Sequence, residues 1–161
     1  MTDEMSYDAK PTSALTAEVA QMLVARGWRL TTAESCTGGN LAAALCAQAD
    51  TAAFYDTGVV TFSDEAKRNV LQVRAETLAV HSAVSEACVQ EMSAGILAMA
   101  DADIAIAISG YAGPEGGEDG TPPARYGLPG IFAARLKPNG CALPATVRPW
   151  WRKRYDMPWR R

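Results

Sequence analysis

Histidine occurs once in the 161 residues, at position 81, and the four cysteines, Cys36, Cys46, Cys88 and Cys141, form no C-x-x-C pair. A zinc site of ordinary Cys/His spacing is therefore not expected, and neither is any other metal or cofactor. Any Ser-His-Asp arrangement would have to use His81. Lysine is also scarce: between Lys10 and Lys137 only Lys67 occurs. No apolar run reaches the ~18 residues of a membrane span. The opening MTDEMSYDAKPTS is acidic and polar where an export signal is basic and then apolar. A cytoplasmic protein with reduced thiols and no membrane partner is the expectation.

What is present is unevenly distributed. Residues 1–123 hold six basic and 17 acidic residues, a net of −11, whereas residues 124–161 hold nine basic residues and only Asp156 as an acid, a net of +8. Three of the four tryptophans, Trp150, Trp151 and Trp159, fall in that second part. Composition alone raises a nucleic-acid-binding arm as one reading of the tail.

Along the chain, Ser13–Gly27 reads as a helix that Ser13 can cap, with Leu15, Val19, Met22 and Leu23 on one apolar face and Gly27 as its stop. Leu30–Glu34 is short and β-branched, a strand, and runs through Ser35-Cys36-Thr37-Gly38-Gly39 into the helix-forming stretch Asn40–Ala47. Phe54–Phe62 reads as a second strand, followed by a helix that Ser63 caps with Asp64 and Glu65 in its first turn. Ser85-Glu86 starts another helix with Val89, Met92, Ile96 and Leu97 inward. Ile104–Ser109 is a nearly continuous apolar run, the signature of a strand covered on both faces. The glycine- and proline-rich stretch from Gly110 to Pro123 is then a loop at the end of a buried strand. Alternating helices and strands predict an α/β sandwich, helices around a central mixed β-sheet, as one domain over residues 13–123. Residues 1–12 read as a flexible leader and 124–161 as an atypical basic tail.

Chemistry concentrates at the strand-to-helix turn. Ser35 sits where free backbone amides and a helix dipole can hold an oxyanion or phosphate, so it reads either as a nucleophile or as a helix cap. Cys36 is a rival nucleophile, its thiol acidified by the same helix end, or else a small core residue. Lys67 is either a solvated helix lysine or a base. At its reference pKa of ~10.4 it would be almost wholly protonated at neutral pH, so service as a base requires burial or a positive neighbour, for which Arg68 is the candidate. The 110–120 loop can wrap a phosphate but lacks the Gly-Lys-Ser/Thr ending of a nucleotide loop, and Glu115, Glu118 and Asp119 oppose an anion. His81 reads as a loop residue near a helix start.

Four segments taken in order, Thr32–Gly39 (TAESCTGG), Val60–Lys67 (VTFSDEAK), His81–Glu86 (HSAVSE) and Ile108–Gly117 (ISGYAGPEGG), resemble the C-terminal domain of the CinA competence/damage-inducible family. That family includes stand-alone nicotinamide-nucleotide amidases. The resemblance implies an α/β fold and hydrolysis of the amide of nicotinamide mononucleotide to nicotinic acid mononucleotide and ammonia. It assigns the nucleophile to Ser35 and its activating partner to Lys67. Substrate contacts fall to Thr37, Gly38, Gly39, Thr61, Phe62, Gly110, Ala112 and Gly113, with no metal or cofactor. The implied partners are a small-molecule nucleotide and further copies of the chain, without nucleic acid or membrane. Phe62 departs from the tyrosine common in active amidases, so the chain is most similar to short CinA-like paralogues. A catalytically silent nucleotide-binding protein is therefore the alternative reading.

After Pro122 the family continues with a P-x-G-T-V-W strand and later a G-D-R helix start, and neither is present. Codons permitted for Ala124–Leu128 read P-G-T-V once one base is lost, and shifted codons from Cys141 to Arg161 yield a string containing G-D-R. Two single-base changes are thus expected to account for the tail, with the loss of a strand and a helix, and the coding DNA decides.

Overall fold

The computed structural model describes residues 11–111 and 131–137. Among these residues the chain forms α1 (Thr12–Arg26), β1 (Leu30–Glu34), α2 (Asn40–Cys46), α3 (Thr51–Phe54), β2 (Tyr55–Val60), α4 (Asp64–Leu71), α5 (Ala75–His81), α6 (Glu86–Met99), β3 (Ile104–Ser109) and β4 (Ile131–Leu136). The strands make one sheet in the order β2-β1-β3-β4. β1 runs parallel to β2 and to β3, and β4 runs antiparallel to β3, which gives the mixed α/β sheet that the sequence predicts.

The chain leaves β1 through α2 and α3 to reach β2, then returns through α4, α5 and α6 to β3 on the other side of β1. This reversal gathers the carboxyl ends of three parallel strands, the place where open α/β sheets leave room for a ligand. Successive strand residues point to opposite faces. Leu30 and Ile104 pack with Ala20, Leu23, Leu45 and Phe54 from α1 to α3, while Ala33, Ala105 and Ala107 pack with Leu71, Val89, Met92 and Ile96 from α4 and α6. Small residues recur on the second face, and Gly95 extends that pattern. A Cβ at Gly95 would collide with the Leu71 carbonyl, so only glycine lets α6 close on the last turn of α4.

The predicted caps form. Ser63 Oγ accepts from the Ala66 amide at 3.1 Å and Ser85 Oγ from the Cys88 amide at 3.1 Å. Helix α6 buries Val89, Met92, Ile96 and Leu97, as their spacing predicts.

Other expectations change. Helix α1 turns Thr16, Ala20 and Leu23 inward and leaves Leu15, Val19 and Met22 exposed. Its small inner residues let it lie close to its neighbours. The Thr16 hydroxyl is satisfied by the Thr12 carbonyl at 2.9 Å and by the Gln48 side-chain amide at 2.9 Å, so burying a polar residue there costs little. Pro11 precedes α1 and no side chain caps it, so Ser13 is not the cap. Phe54 closes the short helix α3 instead of opening β2, and His81 is the exposed last residue of α5 rather than a loop residue.

The tail contributes structure too. Ile131–Leu136 extends the sheet along β3, from Ile104↔Leu136 to Ser109↔Ile131. Its sequence, Ile-Phe-Ala-Ala-Arg-Leu, does not alternate apolar and polar residues, so it gave no strand signal of that kind. Ala112, Gly113, the remaining tail residues and positions 1–10 lie outside the described residues.

Candidate active site

Strand β1 does not stop at Glu34 in hydrogen-bonding terms. The Ser35 amide donates to the Ile108 carbonyl at 3.0 Å, and the Thr61 amide donates to the Glu34 carbonyl at 2.8 Å. Residues 61, 35 and 109 thereby continue three adjacent strands in register. By alternation their side chains lie on the sheet face covered by α4 and α6. Ser109 Oγ donates to the Ala83 carbonyl at 2.8 Å, which ties the end of β3 to the segment entering α6.

Beyond Ser35 the chain must turn sharply to start α2. Gly38 and Gly39 take φ of 59° and 95°, left-handed values that suit glycine. This brings the α2 amides over Glu34. Its carboxylate accepts from the amides of Gly39 (3.2 Å), Leu41 (3.0 Å) and Ala42 (2.8 Å). The helix start expected to receive an oxyanion or phosphate is thus already filled by an anion from the chain itself, a favourable charge-to-dipole pairing. Glu34 carried no sequence signal except its place as a lone acid between a β-branched strand and a glycine turn.

Lys67 lies in the second turn of α4 and is 1% exposed, while Ser35 is 5% exposed. The Lys67 ammonium donates to Ser35 Oγ at 3.0 Å, to the Thr61 carbonyl at 2.8 Å and to the Phe62 carbonyl at 2.9 Å. The solvated-lysine reading is therefore excluded. Burial lowers the Lys67 pKa from its usual value, against opposing contributions from Cys88, Asp64 and Cys36. Arg68 is exposed and is not among the causes, so of the two conditions the sequence sets, burial is the one met.

Of the two readings of Cys36, the acidified thiol is the one its surroundings oppose. Burial pushes its thiol up and Glu34 adds to the rise; its own amide, Lys67 and the Thr37 amide pull the other way. With Glu34 seated at the helix start, the dipole is not left free to acidify the sulfur. Cys88, at the start of α6, is pushed up to about 11, chiefly by burial, although Lys67 opposes the rise.

The other predicted site residues separate into groups. Thr61 is 1% exposed, and its carbonyl accepts from Lys67. The Phe62 ring is 71% exposed, and only its carbonyl reaches Lys67. Thr37, Gly38 and Gly39 form the turn above Ser35, and Gly110 follows β3 at the same sheet edge. Three buried side-chain polar atoms among the described residues lack a hydrogen bond: Arg29 Nε, Thr37 Oγ1 and Thr61 Oγ1. Two of these belong to the site.

The site thus holds a buried serine hydrogen-bonded to a buried lysine at the carboxyl edge of a mixed sheet. Residues 12–128 match the CinA C-terminal domain, and the chain belongs to that family. It is 58% identical over 108 residues to Protein YdeJ of Escherichia coli (strain K12), an alignment covering 67% of this chain and 63% of that protein. It is 51% identical over 108 residues to the nicotinamide-nucleotide amidohydrolase PncC of the same strain, covering 67% of this chain and 66% of that protein. The chain thus spans somewhat less than two thirds of each of these relatives. Among solved structures, a competence-damaged protein (CinA) superfamily protein of Klebsiella pneumoniae 700603 is 80% identical with a TM-score of 0.74, over 79% of this chain and 77% of that one. One from Escherichia coli is 48% identical with a TM-score of 0.70, over 81% and 79%. No helix among the described residues is long and apolar enough to cross a membrane.

Proposed function

We propose that this chain is an amidohydrolase acting on nicotinamide mononucleotide, with Ser35 as nucleophile and Lys67 as its base. The observation that carries the reading is the Lys67 environment. Two carbonyls, of Thr61 and Phe62, hold two N–H bonds of the amine, and Ser35 Oγ takes its third direction at 3.0 Å. When Lys67 is neutral, the two carbonyls still engage its two N–H bonds and its lone pair points at the serine hydroxyl. Burial raises the neutral fraction, as a base working near neutral pH requires.

In the forward reaction Ser35 Oγ attacks the amide carbon while its proton passes to Lys67. The amine then returns that proton to the departing nitrogen, which leaves as ammonia. The backbone amides of the turn that follows Ser35 are the candidate donors for the oxyanion. Water hydrolyses the acyl-serine to the acid in pyridine-nucleotide salvage. The relative named nicotinamide-nucleotide amidohydrolase PncC supports the substrate class.

Ammonia release from nicotinamide mononucleotide, measured for the wild type, Ser35→Ala and Lys67→Met, tests the reading. Equal release by the wild type and Ser35→Ala would reject it. Phe62 favours a second reading, a silent paralogue that binds the nucleotide. Its ring is 71% exposed and it offers no phenol to the pair. Saturable binding by calorimetry without ammonia release would establish that reading, and Phe62→Tyr would then be the variant to regain turnover. Self-association in the cytoplasm belongs to the same proposal. The exposed Leu15, Val19 and Met22 on α1 support it, and sedimentation velocity of the wild type and Val19→Glu tests it.

A further inference from the structure

The mechanism above leaves one buried group unused. Thr61 Oγ1 is enclosed and has no hydrogen-bond partner. Buried hydroxyls elsewhere in the same sheet are all engaged: Thr31 with the Thr57 carbonyl at 2.5 Å, Thr32 with the Tyr55 hydroxyl at 2.6 Å, and Ser109 with the Ala83 carbonyl at 2.8 Å. An unpaired buried hydroxyl costs free energy that valine, nearly the same shape, would avoid.

Its position supplies a use. Thr61 continues β2 past the Glu34↔Val60 pair, and its amide bonds the Glu34 carbonyl, so it stands beside Ser35 on the neighbouring strand and the same face. Adjacent strands run ~4.8 Å apart. Its own carbonyl is 2.8 Å from Lys67 Nζ. Thr61 and Ser35 thus share one sheet face on adjacent strands, and Lys67 Nζ bonds both Ser35 Oγ and the Thr61 carbonyl.

We infer that Thr61 is a positioning residue whose hydroxyl holds the water that hydrolyses the acyl-serine, an inference that rests on the amidohydrolase reading. Once ammonia has left, Ser35 is an ester and no longer a hydrogen-bond partner of the old kind for Lys67. A water enters, donating one hydrogen to the Lys67 lone pair and the other to Thr61 Oγ1, which satisfies the two or more polar partners that a buried water needs. The water oxygen attacks the ester carbon as its first proton moves to Lys67. The C–Oγ bond then breaks, Lys67 returns the proton to Ser35 Oγ, and the acid departs with the water oxygen. Thr37 Oγ1, the other unpaired hydroxyl, lies in the half-buried turn that follows Ser35.

The test uses the full chain with p-nitrophenyl acetate, which acylates serine without needing the nucleotide pocket. Rapid mixing follows the nitrophenol burst, and mass spectrometry follows acetyl-Ser35. In Thr61→Val the burst is expected to keep its size and rate while the following steady state falls at least tenfold and acetyl-Ser35 accumulates. Thr61→Ser is expected to restore the steady state. A purely structural threonine would lower burst and steady state together, and that result, or a Thr61→Val steady state within twofold of wild type, overturns the inference. Thr61→Ala, which also lacks the hydroxyl, answers the same question if the valine variant does not fold. Absence of acetyl-Ser35 from both the folded wild type and folded Thr61→Val while nitrophenol is still released is a different result: it removes Ser35 as the nucleophile, and the inference with it.

Discussion

Glu34 and Lys67 are each 1% exposed, on opposite faces of the sheet, with Ser35 between them. The α2 side meets its buried anion with three backbone amides, and every one of those contacts is to the chain itself. The α4 side meets its buried cation with two carbonyls and leaves the third contact to a hydroxyl. The first arrangement is closed and serves structure. The second ends on a hydroxyl, so the proposed reaction falls on the lysine side although both sides bury an ionisable group.

The largest effect should come from opening the lysine side. Lys67→Met or Ser35→Ala is expected to lower ammonia release by about a thousandfold or more, as loss of a nucleophile or its base does. Retention of a tenth of the activity would contradict the division of labour. Opening the glutamate side should act on folding. Glu34→Ala leaves three part-buried amides without their acceptor and is expected to cost about 2 kcal/mol or more in urea unfolding. An unchanged midpoint would show that the helix start does not depend on it. The pH profile separates the sides further. Because burial lowers the Lys67 pKa, the acid limb of kcat/KM should rise through a midpoint below the usual lysine value and disappear in Lys67→Met. The same depression makes folding prefer neutral Lys67. Its contribution to stability is therefore unfavourable at low pH, and it is relieved as pH rises from the folded toward the unfolded pKa.

Smaller effects sharpen the contrast. Ser82, leading toward α6 on the lysine side, has φ 66° and ψ 168°, a backbone region left almost wholly to glycine. Ser82→Gly is expected to raise stability by about 1 kcal/mol, read as a shifted midpoint. The smallest effect is expected for Cys36→Ser. Burial keeps the Cys36 thiol protonated, so the variant should retain ammonia release within a fewfold, and a collapse would restore Cys36 as a nucleophile.

The sequence revealed the site unevenly. Ser35 and Lys67 were legible because a strand, a small-residue turn and a capped helix each leave local signals. Their 3.0 Å contact spans 32 positions and depends on how α4 packs, which no local pattern records. Glu34 was invisible because an acid at a strand end looks like any edge residue until the following turn folds over it. Helix α1 misled because Leu15, Val19 and Met22 keep helical spacing on one flank while Thr16 and Ala20, less apolar but smaller, take the inside. Strand β4 was missed because Ile131–Leu136 does not alternate apolar and polar residues.

The continued ladder at Ser35 has a consequence for descent with modification. Ser35 and Glu34 are consecutive residues of one strand, and their amide and carbonyl are both locked to neighbouring strands. Inserting or deleting one residue within β1 would exchange their faces, offering a carboxylate to Lys67 and a hydroxyl to the α2 amides. The segment from Leu30 to Gly39 should therefore tolerate changes of letter far better than changes of length, whereas the outward surface of α1 carries no such constraint.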